Sequence, residues 1–387
     1  MAYKLKFKPE DFIVKENSSL AIKSRGDYSV FLLRKTGLNT DDIVRILVKE
    51  NRIKSSLISY AGRKDRHSIS EQLITIKGNH KNLSYKKNCF ELSFVGYSDE
   101  PISPRHIASN SFKVTIRNID ASFIRPIEDR IKRVTKIGFL NYFDEQRFRS
   151  FDELQGFVAE KILKGHYNGA LKIIMTSIRD EDRKRDKERK KGFIQYWGQW
   201  EKCLEHSATD FEKRVFRYLV QNKNGALNIL RSIDRRELSM YFSTYQSYLF
   251  NEVLKRVVKR VAKSIIEISS TPTHIYLLDE IELHQYEYLK NLQIPLIAQR
   301  IDRSDKIVSE FYDEIMEERN LKYSMFNLRK IRKAYFKSTL RKAIVFPEKT
   351  SFAFEEDDIF KSKIKLILYF ELPSGSYGTM FIKHILT

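Results

Sequence analysis

Strict alternation over residues 110–118 is the clearest pattern in the chain. Phe112, Val114 and Ile116 fall on one face, and Ser111, Lys113, Thr115 and Arg117 on the other. A period of two predicts a strand with one buried face. Residues 1–118 read mainly as strands: short extended pieces at 4–7 and 12–15, a β-rich run at 27–36 ended by Gly37, and a strand at 71–77. Between them, Asn39 or Thr40 caps a helix. Its first turn carries Asp41 and Asp42, where the helix dipole favours acids, and Ile43, Ile46 and Leu47 share a face. The period then lengthens. Ile127, Ile131, Val134 and Ile137 predict a helix over 126–137, with Gly138 placed to end it. Beyond residue 150 the pattern is helical over 151–176, 209–233 and 241–264. In the last of these, Tyr245, Leu249, Val253, Val257 and Val261 recur every four residues, as a core stripe does. Strand character returns at 363–372, followed by a turn at 373–378 and a short helix at 379–386. Strands at both ends of a helical middle predict one discontinuous domain, 1–152 plus 336–387, interrupted by an insertion at 153–335.

Composition narrows the class. A chain of 387 residues can bury about two cores, and 42% hydrophobic content with 26 Phe and 20 Tyr excludes a disordered polymer. Lys and Arg number 71 against 50 acids, a formal charge of +21 that no basic tail accounts for. Such an excess points to nucleic acid as partner. The longest apolar runs, such as 364–368, are too short and too charged to span a bilayer, and the first ten residues lack the apolar block of a signal peptide. Cys89 and Cys203 stand far apart without a neighbouring ligand pair, which excludes a zinc knuckle and a disulfide framework. A reduced, cytoplasmic protein is expected. Residues 179–191 are all charged, eight basic and five acidic interleaved, and read as a solvated loop or an exposed helix extension.

Three stretches carry candidate chemistry. In residues 60–72, Arg63, Lys64 and Arg66 surround a single carboxylate, Asp65, just after Gly62. An acid among cations stays ionised at neutral pH, which suits a nucleophile better than a general acid, and suits a polyanionic substrate. Alone, the stretch reads first as a solvated basic turn. Residues 141–148 bring together three aromatics, two amides and an arginine, among them Asn141, Phe143 and Arg147. Aromatic faces beside a guanidinium can stack on an unpaired base, although an aromatic anchor under a loop has the same composition. Residues 321–342 interleave eight Lys and Arg with Tyr323, Phe326, Tyr335 and Phe336. That is either a phosphate-and-base contact surface or a helix with a basic face.

Together these segments resemble the TruD family of tRNA pseudouridine synthases. Ala61-Gly62-Arg63-Lys64-Asp65 with Ser68 and Gln72 is similar to the family's Ala-Gly-x-Lys-Asp motif and the Thr/Ser-x-Gln that follows. Residues 141–148, 245–251 and 370–377 resemble three further signatures, in the family's order. The chain departs from the pattern at Asp144 and Arg149, where glycine is usual, and at Gly378, where alanine is common. The resemblance implies an α/β (α+β) fold: a pseudouridine-synthase catalytic domain with a mixed, largely antiparallel sheet, interrupted by a mainly helical TruD domain. It implies isomerisation of uridine in tRNA, typically at position 13, with Asp65 as nucleophile on a flipped-out nucleotide. Arg63, Lys64, Asn110, Asn141, Phe143 and Arg147 are the substrate-binding candidates, with Phe143 stacking on the uracil. No cofactor and no metal is required, and tRNA is the implied partner of a monomer. Two other readings compete: a catalytically silent RNA-binding module, and a metal-dependent nuclease built on Asp65, His67 and Glu71. Retention of Asp65 in a complete motif argues against the first; flanking cations that would repel Mg²⁺ argue against the second.

Overall fold

The computed structural model describes residues 3–62, 64, 66, 68–180 and 182–387. The chain divides into two compact units, Met1–Phe139 with Val345–Thr387, and Leu140–Ile344. Residues 141–148 therefore belong to the second unit.

The first unit is built on a ten-stranded sheet. Its strands are β1 (Lys4–Leu5), β2 (Phe12–Ser18), β3 (Tyr28–Lys35), β4 (Ile58–Tyr60), β5 (Ile69–Lys77), β6 (Tyr85–Lys87), β7 (Phe90–Ser98), β8 (Ile107–Ile119), β9 (Glu348–Glu356) and β10 (Ile364–Pro373). The order across the sheet is β9-β10-β8-β2-β5-β3-β7-β6, with β1 added to β8 and β4 to β5. Only β2 and β5 run parallel; every other pairing is antiparallel. This is the mixed, largely antiparallel sheet expected. Helix α1 (Thr40–Asn51) buries Ile43, Val44 and Leu47 against Phe31, Leu33, Ile74 and Ile76. Helix α2 (Ile124–Ile137) buries Ile127, Ile131 and Val134, and Gly138, at a φ of 77°, ends it.

β8 carries the alternation read from sequence, but both of its faces are covered. Phe112, Val114 and Ile116 are buried as expected, and so are Thr115 and Arg117 on the opposite parity. Arg117 survives there because carboxylates surround it. Its Nε donates to both oxygens of Asp11, at 3.0 and 2.9 Å, and its Nη1 to Asp357 and Asp358 at 3.0 and 2.9 Å. The Phe112 and Phe370 rings stack 4.9 Å apart. A Cβ at Gly378, the first residue of helix α3 (Gly378–Leu386), would stand 3.0 Å from the Phe112 ring. An alanine there would press on that ring, which would have to give by a few tenths of an ångström.

The second unit is mainly helical. Its 27-residue helix Arg235–Val261 buries the whole stripe Tyr245, Leu249, Val253, Val257 and Val261. The helix read over 151–176 is broken in two ways. Asp152 accepts from the N–H groups of Leu154 and Gln155, closing a turn between the short strands Phe151–Asp152 and Gly156–Phe157. Gly165, at a φ of 74°, then separates the helices Val158–Leu163 and Tyr167–Thr176. Side-chain competition for the backbone and left-handed geometry override helical propensity here. The charged run continues into the helix Lys184–Gln195, steadied by ion pairs of Arg189 with Asp186 and Glu212 and of Lys190 with Asp182. Among the described residues no helix is long and apolar enough to cross a membrane.

Candidate active site

The loop joining β4 to β5 is where the sequence concentrates its cations around an acid. Its described residues are tied down by three neighbours, of which Gln72 and Thr40 are buried. Gln72, on β5, donates from Nε2 to the carbonyl of Gly62 at 3.0 Å. Thr40, at the start of α1, donates its hydroxyl proton to Gln72 Oε1 at 2.9 Å and accepts from the backbone N–H of Lys64 at 3.1 Å. The carbonyl of Arg66 accepts from the N–H of Gly37 at 3.2 Å. A serine or threonine next to the capping Asn39 therefore has a second task, which capping rules do not reveal. Arg63, Asp65 and His67 lie outside the described residues.

Lys64 turns its side chain inward. Its Nζ donates to Asn110 Oδ1 at 2.7 Å and stands 3.0 Å from Glu16 Oε2. Asn110 and Glu16 are cross-strand partners on β8 and β2, so the sheet itself brings the three together. The Glu16 side chain is 1% exposed and that of Lys64 13%. Burial pushes the Glu16 carboxyl above its ordinary range, and the Lys64 ammonium works against that rise. Glu16 was not among the residues singled out from sequence. A signal for it existed: Phe12, Val14 and Glu16 share one parity of β2, and all three are buried. A carboxylate at a core position calls for a cation.

Lys64→Met tests this cluster. Without the ammonium, Glu16 enters the folded protein protonated over a wider pH range, so the native state holds more protons than the unfolded chain. Stability must then fall as pH rises from the unfolded carboxylate value to the raised native one. Wild type shares this fall until its own raised Glu16 ionises, so the variant's deficit should be flat near pH 4 and widen, by at most about 1.4 kcal/mol per pH unit, only above the wild-type Glu16 value and until the variant's Glu16 ionises. Urea midpoints from about pH 4 to 8 measure it. A deficit constant across that range would assign the loss to packing of the lysine stem instead.

Asn141, Phe143 and Arg147 are placed by the second unit. The Asn141 N–H donates to the Ala343 carbonyl at 2.8 Å and its Nδ2 to the Lys342 carbonyl at 3.0 Å. Arg341 Nη2 donates to Asn141 Oδ1 at 2.6 Å and to its backbone oxygen at 2.9 Å. Both ends of the amide are thus spent inside the protein, which fixes the segment. Asn251, buried on the long helix, clamps Phe143 from both sides: its Oδ1 accepts from the Phe143 N–H and its Nδ2 donates to the Phe143 carbonyl, each at 2.8 Å. The Phe143 ring lies 4.0 Å from the Arg341 guanidinium and edge-on to Phe250 at 5.4 Å. Arg147 donates from Nε to Ser247 at 3.1 Å, and its guanidinium is 5.9 Å from the Phe143 ring. Asn251 and Arg341 lay inside stretches read from sequence, yet only the fold reveals that they hold Phe143. The structure thus forms two clusters, Lys64 with Asn110 in the first unit, and Asn141, Phe143 and Arg147 in the second.

Comparison with known proteins places both clusters in one family. The model of tRNA pseudouridine synthase D (TruD) matches residues 1–385. A Methanococcus maripaludis protein named "Probable tRNA pseudouridine synthase D 1" is 30% identical over 389 residues, covering 99% of each chain. The tRNA pseudouridine synthase D of Leptospira interrogans is 28% identical over 394 residues, covering 100% of this chain and 96% of its own. A crystal structure of a Methanosarcina mazei protein assigned to TruD superposes with a TM-score of 0.69 at 22% identity, over 98% of this chain and 92% of that one, a likeness of fold. With a family match that runs almost from end to end, this chain belongs to the tRNA pseudouridine synthase D family, a family of isomerases.

Proposed function

We propose that the protein converts a uridine of tRNA, at position 13, to pseudouridine, with Asp65 acting as nucleophile on a nucleotide flipped out of its stack. The reaction is an isomerisation. The bond from C1′ of the ribose to N1 of uracil breaks, the base turns, and C1′ is rejoined to C5, whose proton leaves while N1 gains one. Atoms and electrons balance without a redox partner. An ionised carboxylate held against an extruded base is the demand such chemistry makes. The observation that carries the proposal is the anchoring of Gly62, Lys64 and Arg66 on either side of position 65, by Gln72, Thr40 and Gly37. A loop held at these points suits a reacting group better than it suits a solvated turn.

Within this reading Lys64 is a positioning residue, because its ammonium is committed to Glu16 and Asn110 rather than to phosphate. Phe143, clamped through its backbone, offers the ring for stacking on the uracil; Arg147 and Arg63 supply charge for the backbone of the RNA. Asn141 holds the segment in place. The basic stretch 321–342 extends the grip along the tRNA, and the protein acts as a monomer.

The test is to incubate the protein with uridine-containing tRNA transcripts in EDTA and to map pseudouridine by its carbodiimide adduct. A stop at position 13 is expected. RNA binding without any adduct would instead make the protein a silent RNA-binding module, and strand scission that EDTA abolishes would make it a nuclease.

A further inference from the structure

The basic stretch 321–342 does more than spread charge. Ile331, Ala334 and Phe336 are buried, the last stacked on Phe242 and edge-on to Phe326, both at 4.9 Å. Between these anchors Tyr335 is turned outward, 63% exposed. A large aromatic presented to solvent by an anchored backbone keeps its ring face available at little entropic cost. It borders a cavity of about 340 Å³, also lined by Arg235, Ser239, Ser243, Gln246 and Lys337, with no acid among the lining residues.

Gln246 gives this cavity its chemistry. The residue is 5% exposed, and its Nε2 donates to two backbone carbonyls, Ile297 at 2.6 Å and Lys337 at 3.0 Å. Two acceptors around one end of the amide settle which end is nitrogen. Among the described residues nothing is seen to donate to Oε1, and it is not among the sealed, unpartnered polar atoms, so a fixed acceptor open to the cavity remains for an occupant. An acceptor held this way reads an N–H on a base edge, an amino or imino group, and rejects an edge that has only acceptors. Arg235 and Lys337, both exposed, add the charge that a phosphate needs. The cavity also adjoins the segment of Phe143. Thr244, next to Ser243, donates to the Arg147 carbonyl at 3.3 Å, and Ser247, one helical turn further on, accepts from Arg147 Nε.

We infer that this cavity is a second base pocket, taking one unpaired nucleotide of the RNA strand, with its base stacked on Tyr335 and its N–H edge on Gln246. The inference rests on the RNA substrate proposed above and names a site for it beyond the reacting uridine. It makes the pocket an element of affinity: a strand that offers it no unpaired base binds more weakly, with the chemical step unchanged.

The experiment pairs variants with altered RNA. Tyr335→Ala should weaken binding of the tRNA transcript about tenfold, since stacking is worth about five- to a hundredfold per base. Tyr335→Phe should restore it, and the single-turnover rate at saturating RNA should stay within about twofold of wild type. Replacing unpaired nucleotides of the transcript one by one with abasic sites should identify one position whose loss weakens wild type about tenfold and leaves Tyr335→Ala unaffected, the coupling expected of a direct contact. Thermal unfolding of Tyr335→Ala should match wild type, because the side chain is exposed. If no abasic position couples to Tyr335, or if Phe does not rescue, the pocket is overturned. Competition by free nucleoside monophosphates as tight as by RNA would also overturn the strand as occupant. Coupled RNA binding with no pseudouridine formed would leave the pocket standing and overturn the isomerase reading alone.

Discussion

If Asp65 is the nucleophile proposed, Asp65→Asn should abolish pseudouridine formation, with a fall of about 10⁴-fold or more in the single-turnover rate, the usual scale for removing a nucleophile from a site that works as a unit. The substitution keeps shape and removes only charge, so the RNA should still bind. With one negative charge fewer among the cations of this loop, affinity should be unchanged or slightly tighter. Single-turnover assays at saturating tRNA, with filter binding in parallel, separate the two quantities. A variant that retains a tenth of wild-type activity removes Asp65 as nucleophile. Equal loss of binding and of rate would instead assign it to holding the RNA.

Arg117→Leu carries the largest stability effect. The Arg117 side chain is 4% exposed, and those of Asp11 and Asp357 beside it are 1% and 0% exposed. Removing the cation leaves those carboxylates in the sheet's covered face, and stranding a buried charge in this way costs about 3–5 kcal/mol. Hydrogen bonding to Asp11 is the main reason the guanidinium holds its proton more firmly than usual. Asp357 is affected oppositely. Burial would raise its carboxyl, but donors from Asn118, Ile359, Phe360 and Arg117 outweigh that and hold it below the ordinary range. A depressed carboxylate contributes stability above its unfolded value that is lost as pH falls through the native one. The variant's deficit should therefore be full at neutral pH and narrow below about pH 4. Guanidinium midpoints at both pH values give the comparison. Arg117→Lys should not rescue fully, since one ammonium cannot replace a fork shared between several carboxylates. A deficit under about 1 kcal/mol would place the ion cluster among contacts of little weight.

What could be read before the fold was known depended on how local its cause was. β8 and the long helix Arg235–Val261 were legible because their apolar residues repeat at the period of the element they form. α1 was legible from its acidic first turn. The break at Gly165 was not, because a helical spacing on both sides hides a single left-handed residue. Burial of Arg117 was illegible for another reason: alternation shows that two faces differ, not that one of them is wet. The same holds for the candidate site. Lys64 and Asn110 could be picked from motifs 46 positions apart, but their junction through Glu16 follows from the pairing of β2 with β8. Asn141 shows the converse: its motif was plain, while its work, holding Arg341 and Lys342, is visible only in three dimensions.

The first unit is assembled from the two ends of the chain, and this has a consequence for biosynthesis. β10 lies along β8 from the pair Ile364 and Ile119 to the pair Pro373 and Ser109, and Asp357 and Asp358 reach Arg117 from the same C-terminal stretch. On the ribosome, β8 emerges long before its partner. At 5–20 residues per second, the roughly 240 residues between them keep it waiting for about 12–50 s. Through that interval one edge of the nascent sheet is open and Arg117 lacks two of its three acids. An open edge invites pairing with other chains. The intervening unit, which has its own core, can fold while the first unit waits, so the unit whose synthesis begins first is the last that can be completed.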